Sequence, residues 1–321
     1  MRQFRVKRLV GSVNWVSGGV AKIDLPRQYD LESLFITVSG TVTNADAGTA
    51  VPTESPVQLI QRVELVADGK NTIASVPFWA LVWAAFQRPE MLLANANLRT
   101  APGTTAAAHP VAATGVLDQA TIDGVRPKDS NFRTTGLQLW ELKFTFGTAI
   151  ETGIGVDAAT FVGTVDVWIA ETVELPDAAG KFSEPAFLKK VSFQQYSTVA
   201  SNSNLEVRLP AGNLIRSIMV RAGAVDPVNT IVNRLTVQSG VDTRFTMTAA
   251  QLRAMQAADY GLLAQAGYFN VDFLKQGPGP VKLANLWDVT KQAEPKLLLD
   301  VTGVASSTVQ VVTTEYIALG K

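Results

Sequence analysis

One arrangement of residues occurs twice in this chain. Leu25-Pro26, a short polar link and an apolar stretch ending at Gly40 are matched by Leu209-Pro210, a link and an apolar stretch ending at Gly223. Each reads as a turn followed by a strand closed by glycine. A second pair follows in the same order, 59–69 and 231–240, alternating apolar and polar residues up to a glycine turn. Each of these leads into a capped helix. Ser75 precedes the apolar run 76–86 with Pro77 in its first turn, and Thr248 precedes 249–258 with Gly261 as the stop. The closing strands 164–171 and 308–315 correspond as well. Matching blocks in one order mark a duplicated unit.

The 321 residues give each copy room for its own core, since 47% are apolar. A Pro/Gly/Ala-rich stretch at 175–185 marks the boundary. The expected organisation is a basic N-terminal arm at 1–8, a first unit at 9–178, a linker at 179–185 and a second unit at 186–321. Many short strands, frequent turns and one short helix per unit predict an all-β chain of two tandem eight-stranded jelly rolls. The largest piece without a repeat, 87–136, is rich in Ala, Thr, Gly and Pro. It is too long for a structureless connector and reads as a binding loop or an intersubunit arm. Its counterpart is 259–295. The most apolar run, 76–86, is far short of the roughly 20 residues that span a bilayer.

Several chemistries are excluded. The chain has no cysteine and one histidine, His109, so thiol catalysis, iron–sulfur clusters, Cys-type zinc sites and multi-histidine metal sites are out. His109 itself lies in an Ala/Thr-rich segment that reads as a solvated loop. Lys+Arg and Asp+Glu are 28 each, a balance unlike the basic excess of a nucleic-acid binder. Only 17% of residues are charged, below the roughly 25% of ordinary soluble domains, as suits a protein in a permanent assembly. Phosphate-loop, dinucleotide, EF-hand and nucleophile-elbow patterns are absent from the sequence.

Four carboxylates on expected strands, Glu141, Asp166, Glu171 and Glu315, could supply a glycosidase pair, which needs no sequence spacing. The alternative places them at outward-facing positions of half-buried strands. Glu171 and Glu315 occupy equivalent places in the repeat, which favours a structural role. Trp79 and Trp83, four apart with Phe78 and Phe86 beside them, read as core or subunit-interface packing on one helix face. Trp15, Trp140, Trp168 and Trp287 are scattered and read as core or interface fillers. No catalytic, cofactor-binding or metal-binding residue is expected.

Arg2, Arg5, Lys7 and Arg8 form the one local charge bias. Interleaved with Phe4, Val6 and Leu9, they could lie on an anionic lipid surface, each charge adding about 1 kcal/mol. Equally, they could form the solvated basic face of a strand.

With two tandem jelly rolls and a helix after a glycine-ended strand in each, the chain resembles the double jelly-roll major capsid proteins. That lineage includes tailless icosahedral bacteriophages with an internal membrane, and the adenovirus hexon. The resemblance rests on the repeated blocks at 25–40 and 209–223, at 59–69 and 231–240, and on the closing strands. It implies a non-enzymatic shell protein without cofactors: a homotrimer whose six jelly rolls make a pseudo-hexagonal capsomer. Its partners would be itself, neighbouring capsomers, penton or minor capsid proteins and possibly an inner membrane against Arg2, Arg5, Lys7 and Arg8, with no sequence-specific nucleic acid. It would be made in the host cytoplasm and reside in the virion. Rival readings are another virion β-protein such as a spike or penton, and a carbohydrate-binding or glycosidase β-sandwich. A metal-dependent bicupin, which normally needs several histidines, fits poorly with one.

Overall fold

The computed structural model describes residues 3–45, 55–86, 105–119, 131–147, 159–174, 185–223, 227–260, 266–276 and 285–319. They fall into two compact units, the first ending at Ala186 and the second beginning at Phe187. Residues 179–184 of the expected linker, and Gly261, lie outside the described residues.

The first unit runs β1 (Gln3–Asn14), β2 (Val20–Asp24), β3 (Asp30–Thr43), β4 (Ile60–Ala67), β5 (Asn71–Val76), α1 (Phe78–Phe86), β6 (Ala108–Asp118), β7 (Trp140–Phe146) and β8 (Thr160–Glu174). Its strands form two antiparallel sheets, ordered β1-β8-β3-β6 and β2-β7-β4-β5. Alternation builds the interior. Leu34, Ile36 and Val38 of β3 and Val165, Val167 and Ile169 of β8 are inaccessible to solvent, as are Leu142 and Phe144 of β7. Trp15 joins the two layers, its ring lying 5.2 Å from Phe161 and 6.1 Å from Phe146.

The second unit repeats that plan with β9 (Phe187–Ser197), β10 (Asn202–Arg208), β11 (Leu214–Gly223), β12 (Val232–Ser239), β13 (Asp242–Thr248), α2 (Ala249–Tyr260), β14 (Tyr268–Asp272), α3 (Phe273–Gln276), β15 (Trp287–Asp288), β16 (Pro295–Val301) and β17 (Thr308–Ala318). The sheets are ordered β9-β17-β11-β14 and β10-β16-β12-β13, strand for strand the order of the first unit. Ile218, Val220, Val309 and Val311 of one sheet share a core with Val207, Leu235, Val237, Leu297 and Leu299 of the other. The one-turn α3 and the two-residue β15 are additions to the eight strands and one helix of the plan.

The duplication extends to an irregularity. The β3–β8 pairing slips between Leu31 and Ser33, and the β11–β17 pairing slips between Ile215 and Ser217. Each bulge leaves one extra residue, Glu32 or Arg216, and sits where the strand faces a glutamate: Leu31 opposes Glu171, and Ile215 opposes Glu315.

Three expectations change. The 87–136 stretch contains β6, the fourth strand of its sheet, so it is not wholly a loop or an arm. Among the described residues β6 pairs only with β3, and Pro110, which cannot donate a ladder hydrogen bond, is tolerated on such an edge. His109 accordingly sits in a strand opposite Val42 and not in a loop. Ser75 is not a helix cap: it belongs to β5, and its hydroxyl donates to Glu64 and accepts from Arg62. Helix α2, by contrast, opens on a reciprocal capping box, with Thr248 N–H donating to Gln251 Oε1 at 3.0 Å and Gln251 N–H to Thr248 Oγ1 at 3.3 Å.

Phe78, Trp79 and Trp83 of α1 are buried, in keeping with core packing. The helix rests on β6 at Gly115, where a Cβ would stand 2.8 Å from both Leu81 Cβ and Phe78 Cε2. Gly115→Val therefore forces α1 off the strand and costs about 2–3 kcal/mol in urea unfolding. A cost under about 0.5 kcal/mol would show that α1 does not pack there.

Candidate functional site

The basic N-terminal segment is built into the fold from Gln3 onward. Its residues are the first half of β1 and pair with β8 from Gln3↔Glu174 to Leu9↔Trp168, so they are not a separate arm. Arg2 lies outside the described residues. Arg5 forms an ion pair with Glu32, the extra residue of the bulge. Arg8 reaches Glu171 Oε2 with Nε at 3.1 Å and Nη2 at 2.9 Å. Lys7 is exposed on the opposite face from Arg8, its Nζ 5.6 Å from the centre of the Phe35 ring.

Three of the four carboxylates are more deeply buried than expected, and Asp166 keeps the half-buried outward position expected of it. Glu171 is wholly buried, Glu315 and Glu141 nearly so, and Asp166 alone is half-buried. Each buried one has its own partner. Glu141 accepts from Lys22 Nζ at 2.8 Å and lies 3.5 Å from Lys143 Nζ. Glu171 has Arg8, and Glu315 accepts from Asn213 Nδ2 at 2.6 Å. Two open hollows, of about 360 and 520 Å³, are lined by Arg8, Leu25 and Arg27 and by Arg244, Trp287 and Lys291 respectively, and neither lining includes any of the four carboxylates. No group of three or more metal-ligating side chains occurs among the described residues. His109 Nε2 lies 3.0 Å from the Thr105 carbonyl oxygen.

The glutamates respond to these settings in opposite ways. Burial raises the Glu171 carboxyl above its usual value, and Arg8 pulls it only partly back. The hydrogen bond from Lys22 holds Glu141 below its usual value, against the cost of burial.

What the sequence reading missed is a surface. Trp168 is 47% exposed and Leu9 48% exposed, side by side on the outer face of the first sheet. Trp168 shares the parity of Asp166 in a strand whose apolar residues are Val165, Val167 and Ile169, which is the signal that would have placed it outside.

No protein-family model matches the sequence, and no curated protein does either. Solved structures do. The major capsid protein of Sulfolobus turreted icosahedral virus superposes with a TM-score of 0.77 at 16% identity, over 98% of this chain and 97% of its own. The major capsid protein P2 of bacteriophage PM2 gives 0.59 at 14%, covering 99% of both chains. The PBCV-1 virus capsid gives 0.65 at 11%, over 98% of this chain and 94% of the other. The fold is the double jelly roll. At these identities the likeness is one of fold, and it covers both halves of this double jelly roll.

In the first jelly roll, Glu171 and Glu141 should give pH dependences of opposite sign. A carboxyl raised in the folded state binds its proton more tightly there, so its contribution is full below the unfolded value near 4.5 and is lost as pH rises through the raised folded value. Glu141 contributes above its unfolded value, and that contribution is lost as pH falls through the lowered folded one. Unfolding titrations from pH 3 to 8 should therefore show Glu171→Gln relieving a loss of stability towards neutral pH and Glu141→Gln relieving one towards acid. Arg8→Gln, which strands the buried carboxylate, should cost about 2–3 kcal/mol at pH 7 after allowance for the partial exposure of Arg8, and less near pH 5. Equal slopes in all three variants would show that these pairs are not coupled to folding.

Proposed function

We propose that this chain is a major capsid protein, a non-enzymatic component of an icosahedral shell whose capsomer is a homotrimer with six jelly rolls in pseudo-hexagonal array. The observation that carries the reading is the end-to-end match of a duplicated chain to capsid proteins of the same two-roll design, with coverage of 97% and 99% of the solved chains from Sulfolobus turreted icosahedral virus and PM2. Duplication has a physical purpose in such an object. A trimer of a two-roll chain presents six similar walls and can fill a hexagonal lattice, while each chain folds around two modest cores. The low charged fraction of 17% suits walls covered by neighbours.

Of the two readings of the basic segment, the ion pairs of Arg5 and Arg8 support the structural one. Those cations hold β1 to β8 and to the bulge, and half of the Arg2, Arg5, Lys7 and Arg8 set is thereby engaged within the protein. The reading places the chain in the virion shell, with penton or minor capsid proteins as further partners.

Negative-stain electron microscopy of the purified protein tests the proposal. Class averages with a hexagonal outline and six lobes are expected. Averages showing isolated two-lobed particles at every concentration would refute the capsomer and favour a β-sandwich protein of another kind.

A further inference from the structure

We propose that the outer face of the first sheet is a contact between two copies of this chain related by a twofold axis, centred on Trp168. The inference rests on the capsid reading above and names a surface through which copies meet.

The strand register lays out this face in rows that cross the sheet. Leu9, Trp168, Phe35 and Val116 form one row. Ser12, Asp166, Thr37 and Thr114 form the row on one side, and Lys7, Ala170, Ser33 and Asp118 the row on the other. The central row is apolar, and its first two members are about half exposed, which is unusual for an indole and an isobutyl group standing side by side on a sheet.

The duplication supplies an internal control. The bulge and its glutamate put Trp168 in register with Val312 and Phe35 in register with Met219. The corresponding row of the second unit is Phe193, Val312, Met219 and Asn270. There Val312 is inaccessible, Asn270 is 3% exposed and Met219 is 7% exposed. The contrast lies at the Leu9–Trp168 end of the row: Trp168 is half exposed where its counterpart Val312 is covered within the chain, while Val116 at the far end of the first row is itself buried.

Charge identifies the occupant. Lys7 and Asp166 flank Trp168 on opposite sides along the strands, roughly 13 Å apart by strand rise. Lys7 rests on the Phe35 ring, and Asp166 has no ion-pair partner among the described residues. A twofold rotation through Trp168 stacks indole on indole and sets each Lys7 against the other copy's Asp166. Such a surface is self-complementary, the condition for an isologous contact. A nucleic acid or an anionic surface would instead meet the carboxylate of Asp166 beside Trp168.

The native chain has no cysteine, so a single introduced thiol reports on this contact without background. Trp168→Cys treated with a bismaleimide of about 8 Å span should give a crosslinked pair of chains, because facing sheets pack about 10 Å apart. Val241→Cys, 95% exposed on the β12–β13 turn of the second unit, controls for random collision and should give at least tenfold less. Lys7→Glu or Asp166→Lys in the Trp168→Cys background should reduce crosslinking at least fivefold, and the two together should restore it. Equal crosslinking at 168 and 241, or failure of the double exchange to restore it, overturns the contact. The capsomer reading fails separately, if chains without either cysteine pair as dimers and form no trimer at any concentration. The crosslink then still decides whether this face pairs.

Discussion

Each half of the molecule depends on the pairing of its third strand with its last. β3 lies against β8 from Asp30↔Thr172 to Thr43↔Thr160, and β11 against β17 from Leu214↔Tyr316 to Gly223↔Thr308. These pairs carry many of the fully buried side chains, each worth about 1.5–3 kcal/mol when removed from water. They also sit at the centre of their sheets, so that β1 and β6, or β9 and β14, add to edges this pairing creates. The bulge within each pair increases the local twist and brings a buried glutamate opposite the slip. Without the pair neither unit has an inner wall on which its second sheet can close.

From a common plan the halves have diverged where charge must be satisfied. Glu171 takes a guanidinium from the edge strand, and Glu315 takes a neutral amide from the preceding loop. The first solution ties the start of the chain into its sheet, and basic residues at positions 5 and 8 thereby acquire a structural reason. Similarly, the outer position that is covered in one half at Val312 is half exposed in the other at Trp168. A chain built of two near-equivalent walls that meet different neighbours would diverge in this way.

Much of the fold is legible in the sequence because duplication doubles a weak signal. A single run such as 231–240 is a modest strand signal; the same run after the same kind of Leu-Pro turn and before the same kind of helix is a strong one. Strand β6 escaped because its Ala, Gly and Pro110 have low strand preference, and only its place on an edge, a property of the folded sheet, makes them acceptable. The carboxylates were misread for another reason. Glu171 keeps the parity of Val165, Val167 and Ile169, and Glu315 that of Val309 and Val311, so alternation alone directs both inward. The general reluctance to bury a carboxylate argued the other way, and the compensating Arg8 and Asn213 come from sequence positions more than 100 residues distant. The outward Trp168 follows from the same parity.

On the capsid reading proposed above, two equivalent jelly rolls in one chain serve to build a trimer of six. Sedimentation equilibrium of the purified protein tests this most directly. A single species of three times the 34.4 kDa chain mass that persists on hundredfold dilution is expected. A species of one chain mass throughout that range would contradict it.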